Sequence, residues 1–385
     1  MSLPLPLDGL TVIELGDTAA APFCGMILAD LGADVIKVER PGTGDAARGW
    51  GPGEWYGISP PFLAINRNKR SIIVDIKDAQ QLARLKDLVR NADVFFHNLR
   101  PGTAGNFGLD GKSLLKLNPR LIHCTVGAFG RQGPLSRRPG YDPLMQAFGG
   151  IMSVTGEQGR PPVRVGVPVV DFGTAHWCAI GILAAINRRH ATGKGSIVDA
   201  SLYETALSWS TILSAVYGAT GIVPQRMGSG IPITTPYRAF ETADGHLIIA
   251  CANDRLFVKL CEVLGRPEWA TDPRFSVNQA RLDHRDLLEG MIQDIVAKAP
   301  RATWEERLTA AGIPNAPIQD LAELHTNPQT QALGILQQVP EYPDMQLMGL
   351  PLSFDDARPP IRRRPPGYGE HTDEVFAALD KKPRT

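Results

Sequence analysis

The residue best placed for covalent chemistry is an aspartate between two apolar segments. Asp171 follows a β-rich stretch, Val163–Val170, and precedes a strongly apolar helix predicted over Gly173–Arg189. Aspartate is favoured at helix N-caps, so one interpretation is structural. The other is a nucleophile at a strand–helix junction, where free helical N–H groups attract an anion and could stabilise an oxyanion on the group under attack. Glycines at Gly166 and Gly173 would let a bulky ligand approach, and the pattern alone leaves both interpretations open.

Cationic residues follow the predicted strands of the N-terminal half. Arg40 follows DVIKVE, and Asn98 and Arg100 follow DVFF. Ligands of open α/β sheets bind beyond the carboxyl ends of the strands, and several cations there could hold a phosphate-rich anion. The alternative is that each is a solvated surface charge, and for any single residue this alternative is favoured.

Several common cofactor and catalytic motifs are missing from the sequence. GTGDAA at 42–47 is a partial dinucleotide fingerprint, but RGWGPGEW follows where that motif requires a helix. The eight histidines show no ligand pairing at helical spacing, and no G-x-S-x-G elbow occurs. We therefore expect no metal, nicotinamide or flavin cofactor, and we interpret His123 and Cys124 as core residues of a strand.

Alternating strand and helix signals in the first third of the chain predict the scaffold. Short apolar segments predict strands, and apolar residues at helical spacing predict helices. The predicted strands are Leu10–Leu15, Asp34–Glu39, Ser71–Ile76, Asp93–Phe96 and Leu121–Val126, and the predicted helices are Pro22–Leu31, Gln80–Asn91 and Ser113–Leu117. This alternation is typical of an α/β fold with a mostly parallel sheet that helices cover on both faces.

The second half of the chain predicts a small α+β domain from about 225 to 315. A long helix over 200–220 and a Gly/Pro loop come first, and then Tyr237–Ala250 predicts a hairpin whose turn is Asp244-Gly245. The predicted helices that follow are Leu256–Leu264, Arg285–Lys298, Thr303–Ala311 with a capping box at Thr303–Glu306, and one from about Thr372.

The composition excludes several classes of protein. The 385 residues carry 40 basic and 40 acidic side chains, so no basic excess favours nucleic acid or an anionic membrane surface. The five scattered cysteines contain no C-x-x-C pair, which argues against a disulfide framework and suits a reducing cytosol. The first residues show no basic signal-peptide region, and the most apolar run, Trp177–Ile186, is too short to span a bilayer. We expect a cytoplasmic protein that binds neither nucleic acid nor a membrane.

Segments along the whole chain resemble the class III CoA-transferases. This family includes formyl-CoA:oxalate CoA-transferase and enzymes that transfer CoA from succinyl-CoA to dicarboxylates. The matching segments are DGLTVIEL, AAPFCGMILADLGADVIKVERPGTGD, NRNKRSIIVDIK, ADVFFHNLRPG, LNPRLIHCTVGAFG, GYDPLMQAFGGIMSVTG, VGVPVVDFGTAHWCAIGILAAI, PYRAFETADGHLIIACAND, AGIPNAPI and GEHTDEV. Their number and order make the resemblance specific, and it favours the catalytic interpretation of Asp171.

The resemblance implies a fold and a mechanism that the sequence patterns alone do not give. It implies a large Rossmann-like CoA-binding domain (1–200 and 316–385), a linker helix and loop (201–224), a small α+β domain (225–315) and an interlocked homodimer. It also implies that Asp171 attacks an acyl-CoA to give a mixed anhydride and then an aspartyl-CoA thioester. The substrates would be an acyl-CoA, which carries coenzyme A, and a free carboxylic acid.

The resemblance also indicates binding residues. Arg40 matches an arginine that packs on the CoA adenine, and Tyr141 matches a tyrosine near the catalytic aspartate. Gly173 is a candidate support residue. The other candidate CoA contacts are Val74, Lys77, Asn98, Leu99, Arg100, Asn106 and Arg138.

Three positions depart from the formyl-CoA enzyme. Ala19 stands where that enzyme has a glutamine that guards the intermediates, and Asn106 stands where it has a CoA-site arginine. Residues 227–230 (MGSG) replace a run of four glycines that forms a lid. These departures argue against formate and oxalate, and the small residues at Ala19–Ala21 suggest room for a larger acid. We expect succinyl-CoA as donor and a C4–C6 dicarboxylate as acceptor.

Two other functions stay open on the sequence. An α-methylacyl-CoA racemase would share the fold but needs two acid/base groups across the α-carbon. The racemases of this family resemble sequences with a histidine at the position of Tyr141. Tyrosine has a pKa of about 10 and is therefore a poor base at neutral pH. A non-catalytic CoA-binding protein is the third interpretation, which the intact context of Asp171 disfavours.

Overall fold

The computed structural model describes residues 4–381, so the signal-peptide interpretation and the outermost residues of the predicted large domain fall partly outside the described chain. The strands are β1 (Thr11–Leu15), β2 (Asp34–Glu39), β3 (Lys69–Ile73), β4 (Val94–His97), β5 (Ile122–Gly127), β6 (Ser196–Ser201), β7 (Tyr237–Thr242), β8 (Gly245–Ala250), β9 (Asn315–Pro317), β10 (Leu336–Val339) and β11 (Tyr342–Met348). The helices are α1 (Ala20–Asp30), α2 (Pro60–Asn66), α3 (Ala79–Arg90), α4 (Thr103–Asn106), α5 (Gly111–Leu117), α6 (Asp142–Phe148), α7 (Ile151–Val154), α8 (Val169–Thr192), α9 (Leu202–Trp209), α10 (Thr211–Thr220), α11 (Asp254–Val263), α12 (Asn278–Asp283), α13 (Arg285–Val296), α14 (Arg301–Ala310), α15 (Leu321–Thr326), α16 (Pro328–Ala332) and α17 (Thr372–Asp380).

Six parallel strands form the central sheet, in the order β3-β2-β1-β4-β5-β6. Buried apolar clusters cover both faces, one built around α1 and α8 and the other around α3 and α17. The prediction of an α/β fold with a parallel sheet is therefore confirmed. In this strand order the winding reverses between β1 and β4, and ligands bind in the crevice beyond the carboxyl ends of the strands at that reversal. Here the crevice follows Leu15 and His97.

The predicted strand over Val163–Val170 is wrong. Residues 161–168 have no regular structure, and α8 begins at Val169 with Pro168 as its N-cap residue. Proline cannot donate to a strand ladder but is well tolerated where a helix begins, which explains the error. Asp171 is therefore the third residue of a helix and does not end a strand.

Three other predictions change in detail. The single helix predicted over 200–220 is divided into α9 and α10 at Ser210, and the half-exposed edge strand β6 before them was not predicted. The capping box predicted at Thr303–Glu306 is wrong, because α14 already begins at Arg301 after Pro300. The hairpin predicted over Tyr237–Ala250 is confirmed as β7 and β8, whereas the hairpin β10–β11 was not predicted.

The chain forms two compact units. Unit 1 comprises the chain through Ile151, Val165–Gly221 and the chain from Gln331 onward, and it contains the parallel sheet. Unit 2 comprises Met152–Arg164 and Ile222–Thr330. It has the antiparallel sheet β7-β8-β9 and a buried core to which α11, α13 and α14 contribute. Unit 2 thus includes a segment before Asp171 that the predicted domain of 225–315 left out.

Helix α8 is longer than the apolar run Trp177–Ile186 suggested. Among the described residues it is the one helix with the length and apolar composition to cross a membrane, and half of its apolar window is buried inside the protein. It packs against α1 and the sheet, and its buried residues include Val170, Cys178 and Ile182. Its apolar character is therefore accounted for in part by the core of unit 1.

The turn between α8 and β6 gives a test of the packing. A Cβ added to Gly195 would lie 2.0 Å from the Leu121 carbonyl oxygen, so Gly195→Ala should lower the free energy of unfolding by about 1–3 kcal/mol. The matched control is Gly290→Ala in the exposed face of α13, where a Cβ meets nothing within 4 Å. It should be stabilising by about 0.5–1 kcal/mol. Urea unfolding would measure both, and equal midpoints would contradict this packing.

Candidate active site

The carboxylate of Asp142 caps the helix that carries Asp171. Its Oδ2 accepts hydrogen bonds from the N–H groups of Val170 (2.7 Å) and Asp171 (3.1 Å). Its Oδ1 accepts from Nε2 of Gln146 at 2.6 Å, one turn later in α6. Gln146 Oε1 in turn accepts from the Val165 N–H at 2.8 Å. The side chains of Asp142 and Gln146 are both buried, so α6 fixes the start of α8 through polar groups that are largely removed from solvent.

This cap overturns one expectation from the sequence. The N–H groups at the start of α8 were expected to be free to stabilise an oxyanion beside Asp171. Asp142 already takes those of Val170 and Asp171, and the Phe172 N–H donates to Pro168 O at 3.0 Å. Asp171 is thus held by its backbone while its carboxylate takes no part in capping its own helix.

Burial and the neighbouring Asp142 carboxylate raise the pKa of Asp171 to about 7. Burial removes water that would stabilise the charged form, and a like charge nearby opposes ionisation further. Within residues 4–381, no Lys, Arg or His forms an ion pair with Asp171 to oppose these effects. A carboxyl with this pKa changes its charge near neutral pH, as functional groups in active sites often do.

The two residues that follow Asp171 contact α1 and α9. Phe172 stacks on Phe23 of α1, with ring centroids 4.2 Å apart. A Cβ at Gly173 would lie 2.7 Å from a ring carbon of Trp209 and 2.9 Å from Thr205 Cγ2. Gly173 therefore permits the close approach of α9, which corrects the expectation that it makes room for a ligand.

The β1–α1 turn, Gly16–Ala19, lies at the carboxyl edge where the sheet reverses. Asn98, which follows β4, donates from Nδ2 to Asp17 O at 2.8 Å and accepts the Asp17 N–H at 3.2 Å. Arg40 follows β2, and its Nη2 lies 3.2 Å from Asp17 Oδ2 while its Nε donates to Gly44 O at 2.9 Å. The structure thus brings Arg40 and Asn98, which follow the strands on either side of β1, into contact with the same residue, Asp17.

The other predicted CoA contacts are spread along the same edge and beyond it. Val74 is buried beside the end of β2, where its N–H donates to Glu39 O at 3.0 Å. Leu99 and the exposed Arg100 continue the chain after Asn98, and Lys77 is exposed just before α3. Asn106 ends the short helix α4, and Arg138 lies 6.0 Å from the ring of Phe129 in the segment between β5 and α6. Their contacts with CoA stay predictions.

The remaining chemistry-bearing residues divide between surface and core. Tyr141 precedes α6 and is 61% exposed. His123 is buried with Nε2 3.1 Å from Leu109 O, and the five cysteines are buried free thiols, as interpreted from the sequence. No group of three His, Cys, Asp or Glu side chains within residues 4–381 is arranged to hold a metal ion.

Sequence reasoning missed the roles of Asp142 and Asp17. The Asp142-Pro143 pair was a usable signal, because proline is common in the first turn of a helix and aspartate is favoured near its start. That signal locates the start of α6 but does not reveal that Asp142 caps a different helix, 28 residues further along the chain.

Comparisons with known proteins show which family this chain and its fold are similar to. The sequence model described as CoA-transferase family III matches residues 7–372. The chain is 39% identical to acetyl-CoA:oxalate CoA-transferase of Acetobacter aceti, over 86% of this chain and 85% of that protein. It is 36% identical to succinate–glutarate CoA-transferase of Agrobacterium fabrum, over 99% and 97%. Its structure is similar to that of a CAIB/BAIF family protein from Brucella suis, with a TM-score of 0.90, 37% identity and coverage of 98% and 100%.

The raised pKa of Asp171 predicts a pH-dependent gain in stability when its charge is removed. In the unfolded chain an aspartate has a pKa of about 4, whereas in the folded protein the pKa of Asp171 is raised to about 7. Wild type binds more protons folded than unfolded between these values, so it loses stability as pH rises through them. The free energy of unfolding of Asp171→Asn should therefore exceed that of wild type by on the order of 2–4 kcal/mol above pH 7, and the two should be equal below pH 4.

Melting temperatures measured from pH 4 to pH 8 would test this. The control is Asp87→Asn at the exposed Arg90–Asp87 pair of α3. Its curve should run parallel to that of wild type. A parallel curve for Asp171→Asn as well would show that the carboxyl of Asp171 is not perturbed.

Proposed function

The chain belongs to CoA-transferase family III, and on this basis we propose that it transfers CoA from succinyl-CoA to a dicarboxylic acid through covalent intermediates on Asp171. The observation that carries the mechanism is the carboxylate itself. It is partly buried and has no ion-pair partner in the described chain, and its pKa is raised to about 7. Such a group is ionised in part at neutral pH and poorly hydrated when it is.

The chemistry begins with an attack on the donor. A carboxylate oxygen of Asp171 attacks the thioester carbonyl, the carbon–sulfur bond breaks, and CoA leaves as a thiolate, which gives a mixed anhydride. The thiolate attacks the aspartyl carbonyl of that anhydride and expels the donor acid as a carboxylate. The product is an aspartyl-CoA thioester, in which the energy of the original thioester is kept.

The acceptor acid then repeats these steps in the reverse order. Its carboxylate attacks the aspartyl-CoA thioester and releases CoA thiolate, and a second anhydride forms. The thiolate attacks the acceptor carbonyl of this anhydride and regenerates the Asp171 carboxylate. Every step exchanges acyl groups among carboxylates and one thiolate, so no net proton transfer is required, but water must be kept from both activated intermediates.

The described residues offer suitable groups for the nucleotide part of CoA. Arg40, Lys77 and Arg100 are exposed cations at or near the carboxyl edge of β2, β3 and β4. Guanidinium and ammonium groups bind phosphate by charge-assisted hydrogen bonds. Arg40 is already oriented, because Asp17 and Gly44 O hold its guanidinium from two sides.

Two features support a larger acid than formate or oxalate. Ala19, at the start of α1, is a small residue in the β1–α1 turn, so the side chain that guards the intermediates in the formyl-CoA enzyme is missing here. The Agrobacterium relative is named for succinate and glutarate. The Acetobacter relative is named for oxalate, and the screen of acceptors below must therefore include oxalate.

A racemase is the alternative that one observation favours. A pKa of about 7 for Asp171 also suits a general base that removes an α-proton. Such a base needs a partner acid, and Tyr141, which precedes Asp142 in the chain, is 61% exposed. Asp142 is committed to the cap of α8. Exchange of the substrate α-proton in deuterated water without any aspartyl-CoA adduct would favour this alternative.

The covalent mechanism predicts a mass adduct on one peptide. Wild type incubated briefly with succinyl-CoA should gain the mass of CoA less one water on the peptide containing Asp171, and hydroxylamine should remove this adduct because it cleaves thioesters. Asp171→Asn should show no adduct and lose at least about 10³-fold in rate, since removal of a covalent nucleophile generally costs that much or more. It should still bind CoA.

Asp87→Asn is the control and should retain both adduct and rate. A panel of free acids, including oxalate, succinate, glutarate and malate, would then identify the acceptor by its discharge of the trapped adduct. Retention of more than a tenth of the rate in Asp171→Asn would refute the covalent mechanism.

We also propose that two copies of the chain associate as the interlocked homodimer implied by the resemblance. An apolar surface in unit 1 supports this, formed by exposed residues of α8, α9 and α10 that a second copy could cover. Its main members, with their exposed fractions, are Trp177 (43%), Ile180 (54%), Trp209 (50%), Ile212 (77%) and Tyr217 (52%). Large exposed apolar patches of this kind mark interaction sites. The buried free thiols favour the further proposal of a reducing cytoplasmic location.

A charge in this surface should prevent two copies from assembling. Wild type should sediment as a dimer of 41.7 kDa chains, and Ile212→Glu should sediment as a monomer at micromolar concentration. Leu287→Glu, which changes an exposed leucine of α13 outside the surface, is the matched control and should stay dimeric. A wild type that sediments as a monomer would contradict the proposal.

A further inference from the structure

Four fully buried charged side chains lie beneath the β1–α1 turn, and we call them the buried ion cluster: Glu14, Lys37, Asp45 and Lys69. Lys37 Nζ lies 2.8 Å from Glu14 Oε1 and 2.7 Å from Asp45 Oδ2. Lys69 Nζ lies 2.8 Å from Glu14 Oε2. All four side chains have no solvent exposure or almost none. The cluster thus joins β1, β2, β3 and the segment after β2 in the interior of unit 1.

Two members of the cluster, Lys37 and Asp45, bind the turn. Lys37 Nζ donates to Gly16 O at 2.8 Å, and Asp45 Oδ1 accepts the Thr18 N–H at 2.9 Å. Asn98 binds both backbone polar groups of Asp17. The backbone of the turn is therefore fixed by side chains from β2, from the segment after β2 and from the segment after β4.

The turn needs this support because its backbone is strained. Thr18 has a φ of +69°, a left-handed conformation that a β-branched residue rarely adopts. Backbone strain of this kind persists only where the surroundings determine it. The hydrogen bond that the Thr18 N–H donates to Asp45 Oδ1 is made at the strained residue itself.

Stability alone is a poor reason for such a cluster. Removing several charges from water is so costly that an apolar replacement is often as stable. Burial lowers the pKa of Lys69 to about 8. Burial also opposes the charge on Lys37, but Glu14 and Asp45 outweigh it and raise the pKa of Lys37. Keeping these charges buried therefore costs free energy. Because stability does not account for the cluster, we infer that its role is to orient the β1–α1 turn.

The position of the turn matters for Asp171 because α1 begins directly after it. Phe23, in the first turns of α1, stacks on Phe172, the residue after Asp171. Ala20, Ala21 and Val170 lie in the same buried cluster. A Cβ at Gly16 would lie 2.5 Å from Ala21 Cβ, so the turn and α1 are in close contact. A shift of the turn would therefore move Phe23, and through its stacking on Phe172 it would disturb the start of α8, which carries Asp171.

We propose that Lys37 and Asp45 are positioning residues for the transfer reaction, because they hold the strained β1–α1 turn, and through it the start of α1, in register with Asp171. This inference rests on the proposed function of Asp171. A displacement of about 1 Å between the reacting groups can lower a rate by on the order of 100-fold. The role is therefore kinetic, and it is separable from the contribution of the cluster to stability.

The test compares Asp45→Ala with a control that disrupts a different buried ion pair. Asp45→Ala should slow the single-turnover formation of the Asp171 adduct at saturating acyl-CoA by on the order of 100-fold, and it should increase amide hydrogen exchange over residues 16–21. The control, Asp30→Asn, disrupts the similarly buried Arg67–Asp30 pair (2.6 Å) at the other end of α1. It should lower the melting temperature and leave the rate unchanged.

A second substitution separates positioning from general damage. Thr18→Gly removes the penalty of the left-handed conformation, because glycine adopts it freely. In the Asp45→Ala background it should restore most of the lost rate. Asp45→Asn keeps an acceptor for the Thr18 N–H, so its rate of adduct formation should lie between those of Asp45→Ala and wild type. It replaces Asp45→Ala in the test if that variant does not fold.

The outcomes distinguish this inference from the proposed function. No adduct on wild type would refute the proposed function, and the positioning role would fall with it. An adduct on wild type that forms equally fast in Asp45→Ala and Asp30→Asn would refute the positioning role alone. The positioning role would also be refuted if Asp45→Ala forms the adduct slowly, Thr18→Gly does not restore its rate, and amide hydrogen exchange over residues 16–21 is unchanged.

Discussion

The capping of α8 by Asp142 is the interaction on which the site depends. A helix of 24 residues begins at Val169, and its first N–H groups must find acceptors. Asp142 supplies one from α6, at 2.7 Å from the Val170 N and 3.1 Å from the Asp171 N. The same carboxylate therefore fixes the backbone of Asp171 and places a negative charge beside its side chain, which together with burial raises the pKa. Asp142 therefore contributes both to the position of Asp171 and, after burial, to its raised pKa.

The order of the strands explains why the other groups converge. Because the winding reverses between β1 and β4, the segments that follow them diverge and leave a crevice at the carboxyl edge. Asp17 and Asn98 bridge that crevice by reciprocal hydrogen bonds, and Arg40 joins them from the end of β2. Beneath them the buried ion cluster holds the β1–α1 turn against the strain at Thr18. The sheet provides the edge, and the buried charges set its fine geometry.

The sequence predicted the parts of this arrangement that depend on local patterns. Apolar runs predicted five of the six parallel strands, and β6 was missed because it is a half-exposed edge strand whose sequence, SIVDAS, carries little apolar signal. Resemblance, rather than spacing, made Asp171 the favoured nucleophile. Its local context was predicted wrongly, since Pro168 ends no strand and starts a helix instead. The contact between Asp142 and α8 joins residues 28 apart, and no local pattern encodes it.

The environment of Asp171 balances two opposing needs of a carboxylate nucleophile. Full exposure would leave it ionised but strongly hydrated, and its lone pairs would be occupied by water. Full burial beside a like charge would keep it protonated, with no lone pair available for attack. A cation close by would restore the charge, but it would also hold the oxygens that must reach the thioester, and the described chain places none within ion-pair distance. Partial burial next to Asp142 leaves a carboxyl that is charged in only part of the molecules near neutral pH. Its charged form is a poorly solvated anion, and that is the state from which the proposed attack on an acyl-CoA would begin.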